Sequence, residues 1–183
     1  MPLVFTDPRD GTSAHGFGDL AVQNKFLLWK SVEHRALVAG GFELTVPSGS
    51  ERRGLGGTAA VEPFLTAGIA LGPFDVLGDI RYEWNINSHV VGQREQTLTA
   101  NLAAGYRVSP WFTPFLELNT VTKTSGAAAE DAPQLRDRLQ FYLTPGFNVR
   151  PLPGVTFRTG RQLPVSTARQ FDSTLHGAMV WEF

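Results

Sequence analysis

Residues 74–86, FDVLGDIRYEWNI, alternate without a break. Phe74, Val76, Gly78, Ile80, Tyr82, Trp84 and Ile86 share one face of an extended chain; Asp75, Leu77, Asp79, Arg81, Glu83 and Asn85 share the other. Successive side chains of a strand point to opposite faces, whereas the apolar residues of an amphipathic helix recur every three or four positions. The run therefore reads as a strand that is apolar on one side and polar on the other. At ~3.3 Å per residue it spans roughly 43 Å. That is more than the usual ~5–6-residue globular strand and enough for a tilted membrane strand.

The same pattern recurs along the chain. GDLAVQNKFLLW sets Leu20, Val22, Phe26 and Leu28 against Asp19, Gln23 and Lys25. RALVAGGFELTV, AVEPFLTAGIAL and QTLTANLAAGYRV repeat it, with Glu43, Glu62 and Arg107 among the polar partners. WFTPFLELN, LQFYLTPGFNVR, the weaker GVTFRTGRQLPV and the terminal FDSTLHGAMVWEF complete a set of about nine strands. The connections alternate in length. KSVEH, GP, SP and PLP are short; PSGSERRGLGGT, NSHVVGQRE, TVTKTSGAAAEDAPQLRDR and PVSTARQ are long. Short turns at one end and long loops at the other are the arrangement of an outer-membrane barrel. Pro47, Pro133 and Pro164 fall at strand ends, where a missing N–H is tolerated.

Two barrels have this periodicity. A soluble lipocalin-like barrel, or a calycin-like binder, points its apolar face inward; a membrane barrel reverses it. The strand lengths favour the membrane barrel. So does the polar face, which is rich in Gly, Ala, Thr and Asn and has few of the Lys and Glu that coat soluble proteins. Tyr82, Trp84, Tyr106, Trp111, Trp181 and Phe183 lie near strand ends, as interfacial girdles require. No run reaches the ~18 apolar residues of a membrane-spanning helix.

The last strand carries a second signal. Leu175, Met179, Trp181 and the terminal Phe183 share one face. This pattern resembles the C-terminal signature by which outer-membrane barrels are handed to their assembly machinery; the plain alternative is a last strand that happens to end in Phe. The N-terminus, MPLVFTDPRDGTSAHGFGD, lacks the basic start, apolar core and cleavage site of a signal peptide. Residues 1–16 read as a loop or the remnant of a preceding strand, and 17–183 as the barrel. With the C-terminus on the periplasmic side, about nine strands place the start of the Gly18 strand extracellularly. Single-chain bacterial barrels have even strand numbers and both ends periplasmic. The expectation is thus an antiparallel transmembrane β-barrel with an open edge, lacking N-terminal strands.

The residues expected to line the lumen are Asp19, Lys25, Glu43, Glu62, Asp75, Asp79, Arg81, Glu83, Arg107, Glu117, Arg150, Arg158, Asp172, His176 and Glu182. Charges of both signs in a wet interior orient water and set weak ion selectivity. They also pair across strands and narrow a pore, so a small channel fits better than a wide porin. The alternative is a lumen simply filled by these groups. Tyr142, Phe64, Phe115 and Trp111 are candidate inward aromatics that form no evident cluster.

Other chemistries find little support. The chain has no cysteine, and its four histidines lack metal-ligand spacing, so no metal or cofactor is expected. Gly16 and Gly18 of GFGDL read as a turn entering a strand, not a nucleotide loop. Ser173 and His176 would face opposite sides of a strand, which excludes Ser–His catalysis between them. A net charge of −1 without a basic patch argues against nucleic acid.

The order and spacing of GFGDLAVQNKFLL, GFELTVPSGS…GLGG, QFYLTPGFNVRPLPGVTFRTGRQLPVS and FDSTLHGAMVWEF resemble the outer-membrane family named for the meta-pathway of phenol degradation, also called transporters. The resemblance runs from about Gly16 to Phe183. It implies a non-enzymatic bacterial outer-membrane barrel that passes small, hydrophobic or aromatic solutes. Its expected partners are outer-membrane lipid, the assembly machinery and a small-molecule solute. The competing class is a structural or adhesive barrel that acts through its extracellular loops.

Overall fold

The computed structural model describes residues 3–6, 14–50, 56–87, 96–125, 139–167 and 173–182. The alternating segments fold into β3 (Leu20–Ser31), β4 (Ala36–Val46), β5 (Ala59–Leu71), β6 (Phe74–Asn87), β7 (Gln96–Tyr106), β8 (Phe112–Ser125), β9 (Leu139–Leu152), β10 (Val155–Pro164) and β11 (Thr174–Trp181). These nine strands form one antiparallel sheet in chain order, each paired with its sequence neighbours. The sheet curls into a half-barrel. Ahead of it, β1 (Leu3–Thr6) and β2 (Ala14–Phe17) make a separate two-stranded sheet. No helix among the described residues is long and apolar enough to cross a membrane.

The short connections, residues 32–35, 72–73, 107–111 and 153–154, lie at one end; residues 47–58, 88–95, 126–138 and 165–173 connect strands at the other. Gly72 opens the two-residue turn between β5 and β6 with φ 60°, a left-handed conformation that glycine adopts without steric cost. β8 extends through residues 120–125, where the sequence reading begins a long loop. The stretch TVTKTS is rich in β-branched residues, and β7 offers it a partner, with Thr122 opposite Leu98 and Val121 opposite Thr99. Pro63, Pro114 and Pro145 lie inside strands. Around Pro145 the β9–β10 ladder skips from Gly146↔Gly160 to Leu143↔Leu163, while β8 still pairs through Leu116↔Pro145. The missing N–H thus interrupts the ladder on one side only.

Among the described residues, side chains of β8 and β10 reach one another across β9 on one face. From β10, Arg158 meets Glu117 of β8 at 2.7 Å and Gln162 meets Asn119 of β8 at 3.2 Å, both passing over β9. This is the concave face. It holds the most buried side chains, Tyr142, Thr144, Phe64, Phe115 and Gln140. The convex face carries the exposed apolar set, including Leu65, Ile80, Leu102, Leu116, Phe147 and Phe157. The core therefore lies inside the curl and mixes aromatic rings with polar side chains. β3 and β11 each pair on one side only and, eight strand reversals apart, run in the same direction. The open edges agree with the strand count made from the sequence. Exposure follows: β3 is exposed on both faces over residues 20–30.

Candidate functional site

The register sets the concave face residue by residue. Ala39, Thr66, Asp79, Asn101, Asn119 and Tyr142 are successive Cα partners from β4 to β9. Residues two apart along each strand share their face. Lys25, Glu43, Glu62, Asp75, Asp79, Arg81, Glu83, Arg107, Glu117, Arg150, Arg158 and His176 accordingly lie on the concave side. Glu182 follows the same alternation just beyond β11. Asp172 lies outside the described residues.

Asp19 departs from the sequence expectation. Strand parity sends it inward with Gln23 and Lys25, but it stands just before β3, free of the ladder. Its Oδ1 accepts the backbone N–H groups of Ser48 at 3.0 Å and Gly49 at 2.8 Å. Gly57 N–H reaches both carboxylate oxygens at 3.0 Å, and Thr58 N–H reaches Oδ2 at 3.2 Å. The return contact runs from Leu20 N–H to Ser48 Oγ at 2.8 Å. Partial burial pushes the Asp19 carboxyl up, but the amides of Gly49, Gly57, Thr58 and Ser48 outweigh it and hold the group below its ordinary range. At Gly56, φ is 150° and a Cβ would overlap the carboxylate. Two segments distant in sequence, GFGDL and the SG…GG feet of the β4–β5 connection, are thereby joined by one side chain.

Across the middle of the concave face runs a continuous polar belt. Glu62 Oε1 pairs with Arg81 Nη1 at 2.8 Å, and Arg81 Nε with Asp79 Oδ2 at 2.9 Å. Asn101 Nδ2 donates to Asp79 at 3.2 Å, and Asn119 Nδ2 donates to Asn101 Oδ1 at 3.0 Å. Thr144 Oγ1 and Gln162 Nε2 both donate to Asn119 Oδ1, at 2.9 and 3.2 Å. His176 Nε2 lies 3.1 Å from Gln162 Oε1. The belt links every strand from β5 to β11. Its amides are oriented alike, each donating toward the Asp79 carboxylate, so the hydrogen bonds polarise one another in the same sense. Such a belt stiffens the wall and presents mixed charge to whatever occupies the concavity.

Aromatic rings on this face sit over glycines and under arginines. Phe64 lies against Gly41, with the Arg81 guanidinium 4.9 Å from its centroid. Phe115 lies over Gly146, where any Cβ would overlap the ring, and Arg158 stands 3.9 Å from its centroid. Tyr142 is 2% exposed and donates its hydroxyl to Gln140 Oε1 at 2.7 Å. Toward the short-turn end, Phe115 and Trp111 line one cavity of about 300 Å³ together with Arg107, Arg150 and Arg158. That grouping escapes the sequence reading, because its members come from five strands and a turn. Its signal in the sequence is faint: an inward arginine near the short-turn end of each of three strands.

The remaining expectations fall as follows. Leu175, Met179 and Trp181 are exposed on the convex side of β11, and Phe183 lies outside the described residues. Ser173 accepts a contact from Arg161 Nη2 at 3.3 Å, whereas His176 turns to Gln162. The two thus have separate partners on opposite faces. No group of three metal-ligating side chains occurs among the described residues.

Comparison with known proteins places this geometry in context. The family model described as "Putative MetA-pathway of phenol degradation" matches residues 1–175. No curated protein matches the chain.

Proposed function

Because the chain belongs to the family of the MetA pathway of phenol degradation, we propose that its curled sheet is the wall of a bacterial outer-membrane channel. The channel passes small solutes, hydrophobic or aromatic ones among them, and its role is passage rather than catalysis. The observation that carries this reading is the inverted distribution of polarity. The concave face holds the polar belt, and the convex face exposes Leu65, Ile80, Leu102, Leu116 and Phe147 along neighbouring strands. A continuous apolar surface of that extent is a liability in water and the expected exterior of a barrel in lipid. Strands of 11–14 residues from β4 to β9 meet or exceed the ~9–11 that a tilted membrane strand needs. On the convex side near the short turns, the Phe74 and Tyr106 rings meet at 4.9 Å and those of Phe112 and Phe147 at 5.9 Å, which supports an interfacial girdle there. Leu175, Met179, Trp181 and Phe183 are the proposed contact for the assembly machinery.

The belt is the proposed narrowing of the lumen. Residues Lys25, Glu43, Glu62, Asp79, Arg81 and Glu117 would line the path, so the channel is small and only weakly ion-selective. The test is single-channel recording in planar bilayers. Discrete conductance steps are expected, and they should enlarge when Arg81→Ala opens the belt. Folded, membrane-inserted protein that conducts nothing would sink the passage reading and favour a barrel that acts through its loops.

A further inference from the structure

The cavity at the short-turn end holds an unbalanced charge. Arg107 Nε stands 3.1 Å from Asp75 Oδ2, and Arg158 is paired with Glu117 at 2.7 Å. Arg150, an exposed member of the lining, has no ion-pair partner among the described residues; its Nε reaches Thr156 Oγ1 at 3.4 Å, the outer limit of a hydrogen bond. Glu182, another carboxylate at this end, forms no ion pair with it. Within the same lining the Ser109 hydroxyl is buried without a hydrogen-bond partner. A buried hydroxyl left unpaired is costly, and a ligand acceptor would relieve it. The same lining includes the apolar side chains of Leu77, Trp111 and Phe115.

From this arrangement we propose that the cavity binds a small organic monoanion. Its carboxylate meets the Arg150 guanidinium and accepts from Ser109 Oγ, while its apolar or aromatic body lies along Trp111 and Leu77. One unmatched positive charge selects a single negative charge. An inorganic dianion would find no second unpaired cation among the described lining residues and would leave the apolar side chains unused. The inference deepens the passage reading, since the cavity lies on the face proposed to line the path, and it names the solute class that path favours: carboxylates over neutral molecules of the same shape.

The experiment is a titration of intrinsic tryptophan emission with the chain folded in detergent micelles. The probes are sodium benzoate, phenol and inorganic phosphate. Benzoate should give a saturable change that disappears in Trp111→Phe, and it should bind more tightly than phenol or phosphate. Arg150→Met should weaken benzoate roughly tenfold or more, as expected for loss of a charged hydrogen bond, and leave phenol unchanged; Arg150→Lys should restore part of the affinity. Equal binding of benzoate and phenol overturns the proposal, as does an unchanged benzoate affinity in Arg150→Met. Should Arg150→Met fail to fold, the comparison of benzoate with phenol on the native chain decides alone. Conductance without benzoate binding would reject the pocket and keep the channel; benzoate binding without conductance would do the reverse.

Discussion

Replacing Asp19 should release the β4–β5 connection while leaving the sheet intact. Its carboxylate accepts four backbone amides, those of Ser48, Gly49, Gly57 and Thr58, at 2.8–3.2 Å. A hydrogen bond to a charged group contributes ~1.5–3 kcal/mol when well shielded. Asp19 is partly exposed and the freed amides regain water, so a lower value of ~0.5–1 kcal/mol per donor is appropriate. Four donors then give a local loss of about 2–4 kcal/mol for Asp19→Ala, equivalent to roughly a 30- to 700-fold fall in amide protection. Hydrogen exchange read on the amides of Gly49 and Gly57 is the assay, because global unfolding would average the local effect away. The pH dependence follows from the sign of the shift. The folded carboxyl titrates below its ordinary value, so its contribution is complete above the unfolded value of about 3.9 and is lost as pH falls through the folded one. Protection at the two glycines, corrected for intrinsic exchange rates, should stay flat from neutral pH down to about 5 and collapse in stronger acid. Asp19→Asn should abolish that acid step. Exchange within threefold of the native chain in Asp19→Ala, or an acid step that survives in Asp19→Asn, would refute the clamp.

Three further outcomes are expected. Ile80→Arg and Leu102→Arg, at convex positions 48% and 54% exposed, should each cost ~2–4 kcal/mol of folding stability in lipid vesicles. Thr99→Arg on the concave face should cost less, and equal losses at both kinds of site would reverse the assignment of the two faces. Gly146→Ala should destabilise by ~1–3 kcal/mol, because its Cβ meets the Phe115 ring; Phe115→Leu in the same chain should recover part of this in chemical denaturation. Deleting Phe183 should reduce insertion in cells far more than folding of the purified chain into detergent, and unchanged cellular insertion would reject its role in assembly.

Much of the architecture follows from the order of residues alone. Alternation with period two is a property of the extended backbone, so FDVLGDIRYEWNI fixes both a strand and the membership of its two faces wherever the strand is placed. The GP turn is equally local, since only residues 72 and 73 decide its geometry. Other features depend on neighbours that no short stretch specifies. Pro145 falls within a segment that alternates as a strand, and the missing N–H is accommodated because β8 keeps its side of the ladder. Asp19 shares the parity of an inward strand residue, yet it lies before the first hydrogen-bonded position and captures amides 29–39 residues away. Gln162 and Asn119, 43 residues apart, meet only because the sheet curls enough to carry side chains over β9. The belt and the cavity around Arg150 belong to that curvature and to the stagger between strands. Sequence decides which side chains face the concavity; register and curl, set by the whole sheet at once, decide which of them touch.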